Sequence, residues 1–164
     1  MLKKPSKVDP LVTRWKARFQ HANQSLNALL ARLDPCEVDW TPDEGMESIR
    51  DHLWAIAESE RWLTVRLARG KITPVQKAYR ASDVDFREIT RMLEICHGNL
   101  NSWMATTTAA AILDEPPGRD EDPEHRGGFC VEDLLYHHLE FKAVHTSAIR
   151  SLIRLIDPVR CGAH

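Results

Sequence analysis

The sequence predicts an all-α fold, a four-helix bundle, and three observations carry that expectation. Four long segments repeat their apolar residues in steps of three and four, the joints between them hold helix-stop residues, and no segment alternates with a strand period over a useful length.

The first helix opens at Asp9-Pro10, an N-cap residue followed by proline at the first helical position. Leu11, Trp15, Phe19, Ala22, Leu26, Leu29 and Leu33 form its stripe, and Asp34-Pro35 ends it. In the connector "CEVDWTPDEGME", Thr41-Pro42-Asp43-Glu44 has the form of a capping box, and Ser48 with Asp51 offers a second start. The second helix then runs to about Arg69, with Ile49, Leu53, Ile56, Leu63 and Leu67 on one face and Gly70 as its stop. Glu60 falls on that apolar face, an unusual place for a carboxylate. "KITPVQKAYRASD" reads as a crossing loop, after which Asp83 or Asp85 caps a third helix. Its stripe is Phe86, Ile89, Leu93, Cys96, Leu100, Trp103 and Thr107, and it fades around Ala111. "DEPPGRDEDPEHRGG" lacks the spaced oxygen ligands and closing glutamate of a calcium loop and reads as a solvated link. The fourth helix starts near Val131, carries Val131, Leu134, His138, Phe141, His145, Ile149, Leu152 and Ile156 on its stripe, and ends at Asp157-Pro158. The expected organisation is a solvated arm at 1–8, one bundle domain at 9–157 and a tail at 158–164. Loop lengths alone leave up-down-up-down and up-down-down-up arrangements both open.

Composition narrows the function classes. The chain has 164 residues, 43% of them hydrophobic, enough for a core of its own. The net charge of −2 and the mixing of both signs argue against a nucleic-acid partner, whose proteins carry a basic face. No apolar run approaches the roughly 20 residues that span a bilayer. "MLKKPSKVDP" is basic with no apolar core behind it, unlike a secretory signal. With Cys36, Cys96, Cys130 and Cys161 in no C-x-x-C pair, reduced thiols in the cytoplasm are expected.

"LLYHHLEFKAVH", Leu134 to His145, sets three histidines into twelve residues. His138 and His145 lie seven residues apart, nearly two full turns, so they share a face about 10.5 Å apart along the axis. That is a poor chelate within one helix, and His137 lies further round. The residue-level expectation is histidines satisfied by carboxylates or backbone. If the second and fourth helices are antiparallel, His52 falls near His145 and Glu60 nearer His138, which offers two histidine–partner combinations in one cleft. Glu60 is then a candidate general base or a partner for a histidine.

Two stretches resemble the DinB-like family of metalloenzymes. "MESIRDHLWAIAESERWL", Met46 to Leu63, is similar to that family's second helix in its serine cap, its Leu53 and its Ala-x-x-Glu ending. "VEDLLYHHLEFKAVHTSAIRSLIR", Val131 to Arg154, resembles its last helix, where H-x-x-x-H precedes a run ending in Leu-Arg or Ile-Arg. The resemblance implies an up-down-down-up bundle, often a homodimer. It also implies zinc or nickel on three histidines, one in the second helix and two in the last, and in characterised relatives thiol S-transferase or isomerase activity with a low-molecular-weight thiol.

Carried over residue by residue, the second histidine of the last-helix pair falls on His145, the first on Phe141, and the second-helix histidine on Ala55. Two of the three implied ligands are therefore absent. A displaced site would use His52 and His145, with His138 a third candidate that the geometry of an antiparallel pair strains. Three functional expectations follow. The chain is a family member with a degraded metal site and a retained small-molecule or thiol cleft. Alternatively it is a divalent-metal-dependent transferase or hydrolase built on His52 and His145, or a structural or stress-related dimer.

Overall fold

The computed structural model describes residues 9–69, 81, 84–116 and 130–161. The expected arm at 1–8, the Gly70 stop, Asp83, the crossing loop from 71 to 80 and most of the acidic link lie outside the described residues. Among the described residues every long element is helical: α1 (Pro10–Leu30), α2 (Ile49–Arg69), α3 (Phe86–Thr106), the short α4 (Ala109–Leu113) and α5 (Val131–Cys161), with one 3-10 turn at Pro35–Glu37. No helix among them is long and apolar enough to cross a membrane.

The starts follow side-chain capping. Asp9 accepts from the Leu11 amide at 2.9 Å with Pro10 as first helical residue. Asp34 and Glu37 bracket the 3-10 turn reciprocally. Asp85 caps α3 by accepting from Arg87 N at 3.1 Å. For α2 the second of the two candidate starts is the one used. Asp51 accepts from Ser48 N at 2.8 Å, and Ser48 Oγ accepts from Asp51 N at 3.2 Å. The Thr41 box is bypassed because Gly45 turns the backbone to φ +84°, a left-handed value that ends any helix begun at 41. Arg50 then ties the connector down, donating to Asp39 at 2.8 Å and to the Val84 carbonyl ahead of α3.

Two boundaries differ from expectation. The third helix does not fade into Ala111. Thr107 and Thr108 are extended at ψ 164° and 162°, and Thr108 starts α4 afresh by accepting from Ala111 N at 3.2 Å. The last helix does not stop at Asp157-Pro158 but continues to Cys161, so 158–161 belong to α5 rather than to a tail. Proline keeps a helical φ and forfeits one hydrogen bond, which the final turn tolerates.

α2 packs on α3 and α5, and α1 packs on α5 and α3. The core is split into two apolar halves. One holds Leu26 and Leu29, Ile49, Leu53 and Ile56, Ile89 and Leu93, and Ile149, Ile153 and Ile156. The other holds Trp15 and Phe19, Leu63 and Leu67, Leu100 and Met104, Ile112, and Val131, Leu134 and Leu135. On every long helix the residues between these halves include a polar one: Asn23, Glu60, His97, and His138 with Lys142. The stripe of α5 therefore differs from the expected one. Lys142 and Thr146 face inward, while Phe141 is 40% exposed.

Candidate functional site

The middle layer of the bundle is a closed polar cluster around one ammonium. Lys142 is 0% exposed, and its Nζ donates to Asn23 Oδ1 and, at 2.9 Å, to Glu60 Oε1. His97 Nε2 lies 3.0 Å from the same Nζ and 2.9 Å from Glu60 Oε2. The hydrogen bond is the one with the ammonium, from which Nε2 accepts, while Glu60 Oε2 has no hydrogen-bond partner among the described residues. Burial works to neutralise Glu60, yet the neighbouring His138 and His97 imidazoles and the charge of Lys142 outweigh it, so the carboxyl is held well below the ordinary glutamate range. Burial in turn lowers the pKa of Lys142, opposed by Glu60. Burial, reinforced by the Glu60 charge, pushes the Cys96 thiol up to about 11, which makes it inert as a nucleophile.

His138 lies at the edge of this layer, 4% exposed, with its ring stacked on Phe19 at 6.0 Å. Its Nδ1 is 2.8 Å from Ser59 Oγ and its Nε2 is 3.6 Å from Glu60 Oε1. Both residues also border a cleft of about 300 Å³ between α2 and α5, whose other walls are Trp62, Leu134, His137, Glu140, Phe141 and Val144. Glu60, expected as a general base, does not line this cleft and has no exposed surface. Its neighbours in the structure are Lys142, His97 and His138.

One level further along, His52 Nδ1 meets His145 Nδ1 at 2.9 Å. Glu47 Oε2 is 3.4 Å from His52 Nδ1. Burial and then the neighbouring His52 lower the pKa of His145, which favours its neutral form. The Phe141 ring packs on the His145 ring at 4.3 Å. α2 and α5 thus pair in opposite order, His52 with His145 and Ser59 with His138, as an antiparallel arrangement requires. That register sets Ala55 level with Lys142, one residue beyond Phe141.

The three histidines singled out by sequence are therefore not brought together. His52 and His145 meet, while His138 is engaged with Ser59 and Glu60. The reason is geometric: in antiparallel helices, moving toward the N-terminus on α5 moves away from the start of α2. His137 is exposed, with Glu140 Oε2 3.9 Å from its Nδ1. Among the described residues no group of three or more His, Cys, Asp or Glu side chains is arranged to hold a metal ion.

The donor set also fails to fit a three-histidine centre. Ala55 offers no donor, Phe141 is a ring against His145, and Glu47 is a solvated carboxylate, 68% exposed. In the middle layer the acceptors Asn23, Glu60 and His97 already converge on the chain's own cation. Sequence reasoning missed Asn23, His97 and Lys142. The signal for Lys142 was its spacing, four residues after His138 and seven before Ile149, which continues the buried stripe in place of Phe141.

No curated protein and no solved structure gives a significant match to the chain. The family model of the DinB superfamily matches residues 18–149, a span from within α1 to within α5 that takes in every residue of the polar layer, the His52–His145 pair, the Ser59–His138 contact and the cleft. The chain belongs to the DinB superfamily.

Proposed function

We propose that this protein keeps the superfamily's bundle and a small-molecule cleft but works without the three-histidine metal centre. The observation that carries this reading is Phe141. At the position that resemblance gives to a metal ligand, its side chain instead covers His145 and walls an apolar cleft. A volume of about 300 Å³ is at the lower end for ligand pockets. Its lining of Trp62, Leu134, Phe141 and Val144, with His138 and Ser59 as polar points, suits a small apolar ligand carrying one hydrogen-bonding head. The up-down-down-up order is part of the reading. It is supported by the contacts of Arg50 with Val84 and of Glu60 with His97, in the same order along α2 and α3, and by the opposite order between α2 and α5. A homodimer is part of it too, supported by Val144 and Leu155, 68% and 52% exposed on one side of α5.

Elemental analysis of protein purified without a histidine tag tests the central claim. The expected result is zinc and nickel far below one per chain. Restoring the pattern with Ala55→His and Phe141→His together should raise metal affinity by at least tenfold. A folded double variant with no gain would show that the correspondence of positions 55 and 141 is wrong.

One observation favours a second reading, a divalent-metal transferase or hydrolase on a displaced site. Two nitrogens on a tetrahedral zinc lie roughly 3.4 Å apart, and the His52 and His145 nitrogens approach to 2.9 Å with Glu47 beside them. Stoichiometric metal that disappears in His145→Ala would defeat the first reading and leave a displaced metal site in its place.

A further inference from the structure

A serine inside a helix ordinarily returns its hydroxyl to a carbonyl one turn back. Ser102 does so to Gly98 at 2.9 Å and Ser151 to Ser147 at 3.1 Å. Ser59 in α2 instead turns its Oγ across to His138 Nδ1 at 2.8 Å, on the wall of the cleft. On the far side of the same ring, Nε2 is buried without a hydrogen-bond partner and faces the Glu60 carboxylate at 3.6 Å. The imidazole thus stands between a hydroxyl on the cleft wall and a carboxylate in the polar layer, one at each ring nitrogen. The stacking of Phe19 on the imidazole holds its plane, and Lys142 holds Glu60 in place by donating to Oε1, the oxygen that faces His138.

The geometry points to a Ser59–His138–Glu60 relay that takes an acyl group from neutral carboxylic esters with an apolar acyl chain bound in the cleft. This rests on the cleft reading above. The carboxylate favours the tautomer with the proton on Nε2, which leaves Nδ1 free to accept from Ser59. Ser59 Oγ attacks the ester carbonyl carbon while its proton passes to Nδ1. The bond from that carbon to the alcohol oxygen then breaks, and the alcohol leaves with the proton from Nδ1. Water attacks the acyl-serine in the same way, its proton passing through Nδ1 back to Ser59 Oγ as the acid leaves. Besides His138, Trp62 and His137 are the side chains with N–H groups on the cleft wall, where a developing oxyanion would need a donor. Glu140 at the cleft disfavours anionic substrates. Glu60 touches no substrate and is a positioning residue.

The test mixes the full-length protein with 4-nitrophenyl hexanoate and, separately, titrates the uncleavable N-(4-nitrophenyl)hexanamide by calorimetry. The expected result is a burst of nitrophenolate, one hexanoyl group located on Ser59 by mass spectrometry, and measurable binding of the amide. Ser59→Ala should abolish the acyl-serine and keep amide binding. His138→Gln should slow acylation at least a hundredfold, the lower end of what a positioned general base supplies. The charge-neutral pair Glu60→Gln with Lys142→Met should slow acylation while leaving the amide's Kd unchanged, a split that a merely structural role would not produce. Amide binding without acylation, or acylation on His137 instead, overturns the relay and leaves the cleft reading standing. Absence of both binding and acylation overturns the two together.

Discussion

Lys142 has three N–H donors and meets three acceptors from three other helices, so removing it strands a carboxylate with no exposed surface. Lys142→Met should therefore cost about 3–5 kcal/mol, the range for breaking a buried pair by removing one partner. Adding Glu60→Gln should recover most of it, and urea unfolding of the three proteins measures both effects. The pH dependence has a definite sign. Because the carboxyl of Glu60 is held below its ordinary value of 4.5, the unfolded chain binds that proton first on acidification. Its stabilising contribution is complete above pH about 4.5 and is lost as pH falls toward the depressed folded value. The urea midpoint should fall between pH 5 and pH 3, and the neutral double variant should show a smaller fall. At this scale the sequence was partly legible. An antiparallel register suffices to bring His52 to His145 and Glu60 to His138. Lys142 and Asn23 were not legible because a polar residue on an inward face looks like a solvated one until its partners are known. Their neighbours Phe141 and Ala22 were the more apolar choice at each place.

The start of α2 lies close to His52, so its cap also fixes one end of the histidine pair. Ser48→Ala removes the hydroxyl that the Asp51 amide uses and should cost about 1 kcal/mol. The same change at Thr41, outside any helix, should cost markedly less, and paired thermal melts separate the two. Both candidate boxes were visible in the sequence. What chose between them was the left-handed backbone at Gly45, which residue pattern alone does not dictate. The end of α5 was misplaced for a related reason. Asp157-Pro158 is a stop signal by composition, but proline forbids only one hydrogen bond, and the helix goes on to Cys161. Phe141 belongs to this scale too. It lies on the side of α5 that walls the cleft rather than on the core stripe.

Across the whole molecule, the all-helical class was legible because four apolar stripes of helical period leave little else to form. The fifth helix, α4, was hidden because five residues are too few to show a period. The dimer expected of this chain can be examined at the same scale. Val144→Glu with Leu155→Glu places two charges on the exposed side of α5, and sedimentation should show the variant as a monomer where the parent is a dimer. The split core makes a further demand on stability measurements. Ile153→Val and Leu135→Ala sit in different halves with the polar layer between them, so their costs should add within about 0.5 kcal/mol. The layer also decides how the helices may slide. A one-turn slip of α5 would move the Lys142 ammonium about 5.4 Å along the axis, out of its cage and in among isoleucines or leucines. An all-apolar middle would tolerate that slip, as uniform hydrophobic seams do. This bundle carries a height marker instead, comparable to the single polar position that sets registry in a coiled coil.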